Sequence, residues 1–210
     1  MFAIESIFPT PVGCVRREKE FTEKELEIFN MYLSDPIKNG NHDCNNESTR
    51  EIRVLDNEGL QELKNELTEY LNEFFQIVYK PTTDVKLYIT HSWLNATKYG
   101  QIHPPHDHAN SLISGVLYIN STDTDNITFI RSHPRQPLGS FHINSYGSQW
   151  SASEQNFKAI KNGFVMFPSC LAHEVRERQD TSQDARISLS FNTWFKGTIG
   201  DDQAVSTLSF

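Results

Sequence analysis

Apolar residues return every three or four positions in the first third of the chain and then, from Asp84 onward, at nearly every second position. The first helical signal opens with Thr22-x-x-Glu25, a capping box, and continues through Leu26, Phe29 and Leu33 before Asp35-Pro36 stops it. Residues 38–50 are polar and aperiodic and read as a surface loop. The second helix has the clearest stripe: Leu60, Leu63, Leu67, Leu71, Phe74 and Val78, with Asp56 available as a cap and Pro81 forbidding continuation. Such a face needs a flat apolar partner, and a sheet is the natural one.

Segments 86–97, 111–120, 127–130, 163–167 and 186–195 are rich in β-branched and aromatic residues, and Gly100, Pro104, Pro105 and Pro134 punctuate them. Between 134 and 161 the pattern is poor, with one short strand candidate at 141–146. Residues 197–210 read as a polar tail. Helices followed by about eight strands predict a barrel or double-sheet jelly roll braced by N-terminal helices. One domain over 1–210 is expected: an N-terminal strand and helical support (1–81), a jelly-roll core (84–196) and the tail.

Hydrophobic residues make up 37% and charged residues 22% of the 210, which excludes a membrane-spanning or collagen-like chain. With 19 basic against 27 acidic residues the formal charge is −8, so neither nucleic acid nor membrane is an expected partner. Cys14, Cys44 and Cys170 form no CxxC, and no basic-then-apolar leader precedes Val15, so a cytoplasmic setting is expected.

Histidines carry the candidate chemistry. Four of the eight lie between 91 and 108, and His106 and His108 stand two apart, on one face of an extended segment, where both imidazoles can reach one ion. His173, following Phe167-Pro168-Ser169, is the best third ligand. An HxH pair alone is a weak signal, since a lone His is more often a surface or satisfied core residue. A second feature strengthens it. Arg186, Ser188, Ser190 and Asn192 share one face of the last long strand, and turning that face into a barrel is costly unless it meets an anion.

His106-Asp107-His108, His173-Glu174-Val175 and Arg186-Ile187-Ser188 together resemble the 2-oxoglutarate/Fe(II)-dependent oxygenases, whose pattern is His-x-Asp/Glu, a distal His and a later Arg. Phe8-Pro9-Thr10-Pro11, Ser114-Gly115-Val116-Leu117-Tyr118 and Phe167-Pro168-Ser169 through Phe191-Asn192 resemble a bacterial and phage branch related to prolyl hydroxylases. The resemblance implies a double-stranded β-helix in which His106, His108 and His173 hold Fe(II) with open positions for 2-oxoglutarate and O2. It further implies that Arg186 pairs with the distal carboxylate of 2-oxoglutarate, helped by the Tyr118 hydroxyl and Ser188. Trp93 and Asn95 would line the pocket, with Asn95 a hydrogen-bond partner of the cosubstrate. One departure stands out: His108 occupies the family's carboxylate position, with Asp107 as the fallback ligand.

The remaining candidates read more blandly. His103, before Pro104-Pro105, is expected in a loop at the pocket mouth. His91 is expected to be structural and His42, His133 and His142 to lie on the surface. Glu174, Arg131 and Arg135 are expected to be solvated, though the two arginines could meet an anionic substrate, and Cys170 is expected to be a packed small residue. On the oxygenase reading, O2 and a peptidyl (prolyl-like) or small-molecule substrate are the partners, a C–H bond is hydroxylated, and succinate and CO2 are released; a homodimer stays open. A cupin-like metal protein is the first alternative, since Gly100 lies six residues before His106, but the cupin carboxylate is missing at Leu112-Ile113 and Arg186 gains no role. A non-catalytic jelly-roll binding protein, with structural zinc or none, is the second.

Overall fold

A computed structural model describes residues 3, 5–38, 45–131, 152–181, 184–200 and 206–208. The first helix, α1 (Glu23–Leu33), begins as its capping box requires: the Thr22 hydroxyl accepts from the Glu25 N–H at 3.2 Å, and the Glu25 carboxylate accepts from the Thr22 N–H at 2.7 Å. The second, α2 (Gln61–Tyr79), buries Leu63, Leu67, Leu71, Phe74 and Phe75 and ends at Lys80, in the left-handed conformation just before Pro81. Its start differs from the expectation. The chain enters through two 3-10 turns, Val54–Asp56 and Glu58–Leu60, whose own short bonds serve the first donors. Asn57, not Asp56, caps the second turn through Gly59 N–H at 2.9 Å, and Asp56 instead pairs with Lys64.

The strands, in chain order, are β1 (Gly13–Arg16), β2 (Ile37–Lys38), β3 (Glu47–Ser48), β4 (Lys86–Thr97), β5 (His103–His106), β6 (Ile113–Asn120), β7 (Asn126–Ile130), β8 (Glu154–Lys158), β9 (Gly163–Pro168), β10 (His173–Val175), β11 (Arg186–Ile199) and β12 (Ser206–Leu208). They form a large antiparallel sheet in the order β1-β9-β6-β11-β4-β3-β2, with β12 joined to β11, and a smaller sheet β5-β10-β7-β8. This is the mainly β, double-stranded β-helix architecture with two bracing N-terminal helices that the sequence predicts.

Two stretches correct the sequence reading. The presumed loop 38–50 contains β3, which pairs with β4 (Ser48 opposite Asn95) and buries Asn46, Ser48 and Thr49. Backbone pairing and polar bonds hold it, including the Thr49 hydroxyl accepting from Leu94 N–H at 3.1 Å, so no apolar period marks it. The presumed tail is also partly a strand: β11 runs on to Ile199 and pairs with β12. The 141–146 candidate lies outside the described residues, as do Cys44, His42, His133, His142 and Arg135. Among the described residues no helix is long and apolar enough to cross a membrane.

Packing follows from the alternation of β11. Leu189 and Phe191 face the helices and join Leu63, Leu67 and Leu71 with Leu94, Leu117 and Phe164 in the larger core. Tyr118, Ile127, Phe129, Val165, Phe167 and Leu171 make a second cluster between the two sheets. Arg186, Ser188 and Ser190, on the opposite face of β11 from Leu189 and Phe191, are nonetheless buried, so this polar face lines the interior.

Candidate metal centre

Rows of side chains cross the inner face of the large sheet and order the cavity from end to end. At the inner end Arg186 on β11 stands opposite Thr97 on β4. In the next row Ser188 lies between Asn95 on β4 and Tyr118 on β6, then Ser190 between Trp93 and Val116, then Asn192 between His91 and Ser114. Across from them, β5 and β10 pair so that His106 faces His173, with His173 also opposite Phe129 of β7.

His106, His108 and His173 converge there, each offering a ring nitrogen within 4.8 Å of the others. The Nε2 atoms of His108 and His173 are 3.3 Å apart. A carbonyl oxygen only accepts, so His106 Nδ1 donates to Pro104 O (2.9 Å) and His173 Nδ1 donates to Leu171 O (3.0 Å). Those bonds fix both tautomers and leave each Nε2 lone pair aimed inward, as a metal ligand requires. Burial pushes His173 down to about 3 and His108 to about 4, with His106 adding to both shifts, and burial lowers His106 as well. All three are therefore neutral donors at neutral pH. Asp107, the fallback ligand, is exposed and outside the cluster.

One residue ties the two histidine-bearing segments together. Fully buried Ser169, in the turn after β9, accepts the His108 N–H at its carbonyl (3.0 Å) and bonds Ser111 and Ser114 through its hydroxyl (2.7 and 2.8 Å). The backbone that leads to His173 is thus fastened to the backbone that carries His108. Trp93 sits beside the His108 ring, with centroids 5.7 Å apart.

Arg186 is buried at the other end of the cavity. Its Nη1 donates to Asn126 O at 3.0 Å, while its Nε has no partner among the described residues. Burial works against the charge and Tyr118 and Asp125 support it; a guanidinium stays cationic regardless. Burial pushes the Tyr118 phenol up to about 12, so it keeps its proton as a donor. Thr97 Oγ1 and Asn95 Oδ1 are also buried without partners among the described residues, while Asn95 Nδ2 donates to Ser190 Oγ at 3.1 Å. A buried cation with an unmatched N–H, flanked by hydroxyls, fits an anionic ligand.

Several assignments move. His103 is not a loop residue at the mouth: it is on β5, lines the cavity, and stacks on His106 with centroids 4.0 Å apart. Strand parity hides it, because the β5–β10 register shifts between these two residues and lets both rings face inward. Thr97, in parity with Trp93 and Asn95 on β4, looks in sequence like any strand residue yet stands opposite Arg186. Cys170 is exposed rather than packed. Glu174 is partly buried in an ion pair with Arg176. His91 is exposed, its Nδ1 3.1 Å from the Thr90 hydroxyl, and Arg131 is half-buried.

Fold and site together define a double-stranded β-helix with three imidazoles converging at one point of its cavity and a buried arginine deeper in. Residues 91–192, which span all three motifs, match the family described as "Putative 2OG-Fe(II) oxygenase". Solved structures of the same fold include a Pseudomonas putida prolyl-4-hydroxylase (12% identity, 89% of this chain and 92% of that one covered, TM-score 0.55). The α-ketoglutarate-dependent epimerase SnoN of nogalamycin biosynthesis is another (10%, 95% and 79%, 0.61). A third is HygX of Streptomyces hygroscopicus with nickel, 2-oxoglutarate and hygromycin B bound (10%, 88% and 82%, 0.52). Comparison with curated protein sequences yields no match.

Proposed function

We propose that this chain is a 2-oxoglutarate- and Fe(II)-dependent dioxygenase that hydroxylates a C–H bond of a peptidyl, prolyl-like or small-molecule substrate. One O2 is consumed, one oxygen atom entering the new hydroxyl and the other entering succinate as 2-oxoglutarate loses CO2. The observation that carries the reading is the pairing, in one cavity, of three inward-facing imidazole nitrogens with a buried guanidinium whose Nε lacks a partner.

In this reading His106, His108 and His173 would hold the iron, and Arg186 would receive the distal carboxylate of 2-oxoglutarate with Tyr118, Ser188 and Asn95 beside it. Bound iron and 2-oxoglutarate supply the oxidising chemistry; the protein supplies geometry and a water-poor wall. Three neutral imidazoles leave a divalent ion's charge uncompensated, where a carboxylate ligand would cancel one unit. A dicarboxylate answers both that ion and Arg186, so charge favours the cosubstrate here. The same neutrality weakens selection for iron over other divalent metals. HygX, whose fold is similar, holds a metal and 2-oxoglutarate together, which supports the cofactor pair. The prolyl-4-hydroxylase and the epimerase leave the substrate class broad.

The test is an anaerobic titration. Fe(II) followed by 2-oxoglutarate should give a weak visible charge-transfer band, and Arg186→Ala should lose 2-oxoglutarate binding while keeping Fe(II) affinity. Tight zinc binding with no band would replace this reading with that of a non-catalytic metal protein, and a band indifferent to Arg186→Ala would take Arg186 out of the cosubstrate site.

A further inference from the structure

We infer that His103 is a cosubstrate-binding residue, its ring N–H donating a hydrogen bond to the dicarboxylate whose far end Arg186 holds. The inference rests on the oxygenase reading above and adds to it a donor outside the three motifs. Its first support is position. β10 runs antiparallel to β7, with His173 opposite Phe129 and Glu174 opposite Thr128, so the step from His173 to Val175 leads toward Asn126. Asn126 is the residue whose carbonyl accepts from Arg186, and His103 stands opposite Val175. The His103 ring therefore lies on the arginine side of the triad, along the path a ligand must span to touch both ends.

The second support is how the ring is turned. His103 is outside the group of converging nitrogens and lies nearly parallel to His106, 12° between planes, so its face rather than a lone pair meets that ligand. A neutral imidazole always carries one N–H. The His103 ring lines the cavity, where that N–H can meet a ligand. A carboxylate, which only accepts, would take that N–H on entering between the triad and Arg186. Pro104-Pro105 hold the strand that presents it, and neither proline offers an N–H to compete.

The experiment compares His103→Phe, which keeps a ring against His106 but no donor, with His103→Gln, which keeps a donor. Full-length protein loaded anaerobically with Fe(II) is titrated with 2-oxoglutarate by calorimetry, and Fe(II) affinity is measured separately. Expected are an affinity for 2-oxoglutarate about tenfold weaker in His103→Phe, largely restored in His103→Gln, and Fe(II) affinity within about twofold of wild type in both. Binding of 2-oxoglutarate by His103→Phe within about twofold of wild type would overturn the assignment, as would an equal loss of Fe(II), which would make His103 a support for His106 instead. Should His103→Phe not fold, failure of His103→Gln to bind 2-oxoglutarate while it still binds Fe(II) as wild type does would equally overturn the assignment. Wild type that takes Fe(II) but never 2-oxoglutarate would remove the oxygenase reading itself, a distinct result from a His103-indifferent site that still depends on Arg186.

Discussion

His106 and His173 commit one ring nitrogen each to the carbonyl two residues earlier, Pro104 and Leu171. The repeated bond is local, so each imidazole arrives with its tautomer set by its own segment. What the segments cannot do alone is tolerate the outcome, in which inward lone pairs crowd together, the His108 and His173 Nε2 atoms at 3.3 Å. Without a cation one of those two nitrogens must carry a proton toward the other; a shared ion removes the conflict. Metal binding should therefore stabilise the fold by linkage, about 2.7 kcal/mol when free metal exceeds Kd about a hundredfold. Zn(II)-loaded protein should accordingly melt above chelator-treated protein in a thermal scan. His173→Ala should erase the gap between the two curves, and an undiminished gap would take His173 out of the metal site.

At the scale of elements, β6 shows how the large sheet is shaped to meet the helices. Gly115 stands opposite Phe191 of β11, and a β-carbon there would come within 2.5 Å of the Phe191 ring and 2.8 Å of Phe164. Both rings are fully buried under α2, so neither has room to swing away. Gly115→Ala should destabilise the protein by about 1–3 kcal/mol through overpacking, read as a lower urea midpoint with unchanged slope. An unchanged midpoint would mean that the rings can repack. Elements with an apolar period, such as α2, β4 and β11, were legible in the sequence because each buries a regular face. β3 and β12 were not, because backbone pairing holds them and no apolar period marks them. The same division runs through the site. His106, His108, His173 and Arg186 stand out by spacing, whereas His103 needed the register shift opposite β10, which no local pattern announces.

Across the whole molecule, three connections meet at the arginine end of the β-helix around one ion pair. Arg178 donates its Nε to Asp125 at 3.1 Å, and both side chains are almost wholly buried. Its backbone exchanges hydrogen bonds with the 100–101 turn, its Nη1 donates to Asp184 O, and Asp125 closes the β6–β7 turn through Thr122 N–H at 2.9 Å. Asn126, next along, receives Arg186, so the pair also braces the residue proposed to seat the cosubstrate. Deleting one partner leaves a buried charge unmatched, which costs about 3–5 kcal/mol, and the low end applies because Asp180 stays 3.9 Å from Arg178. Asp125→Ala should thus be strongly destabilised in urea, with little dependence on added salt because the pair is shielded from it. Asp125→Leu combined with Arg178→Met should recover part of the loss, since no lone charge remains. By contrast, removing the solvent-exposed Arg50–Asp35 pair should hardly move the midpoint. A double variant no more stable than Asp125→Ala would show that this end is held by the hydrogen bonds of Arg178 to its neighbouring turns rather than by the balance of charge.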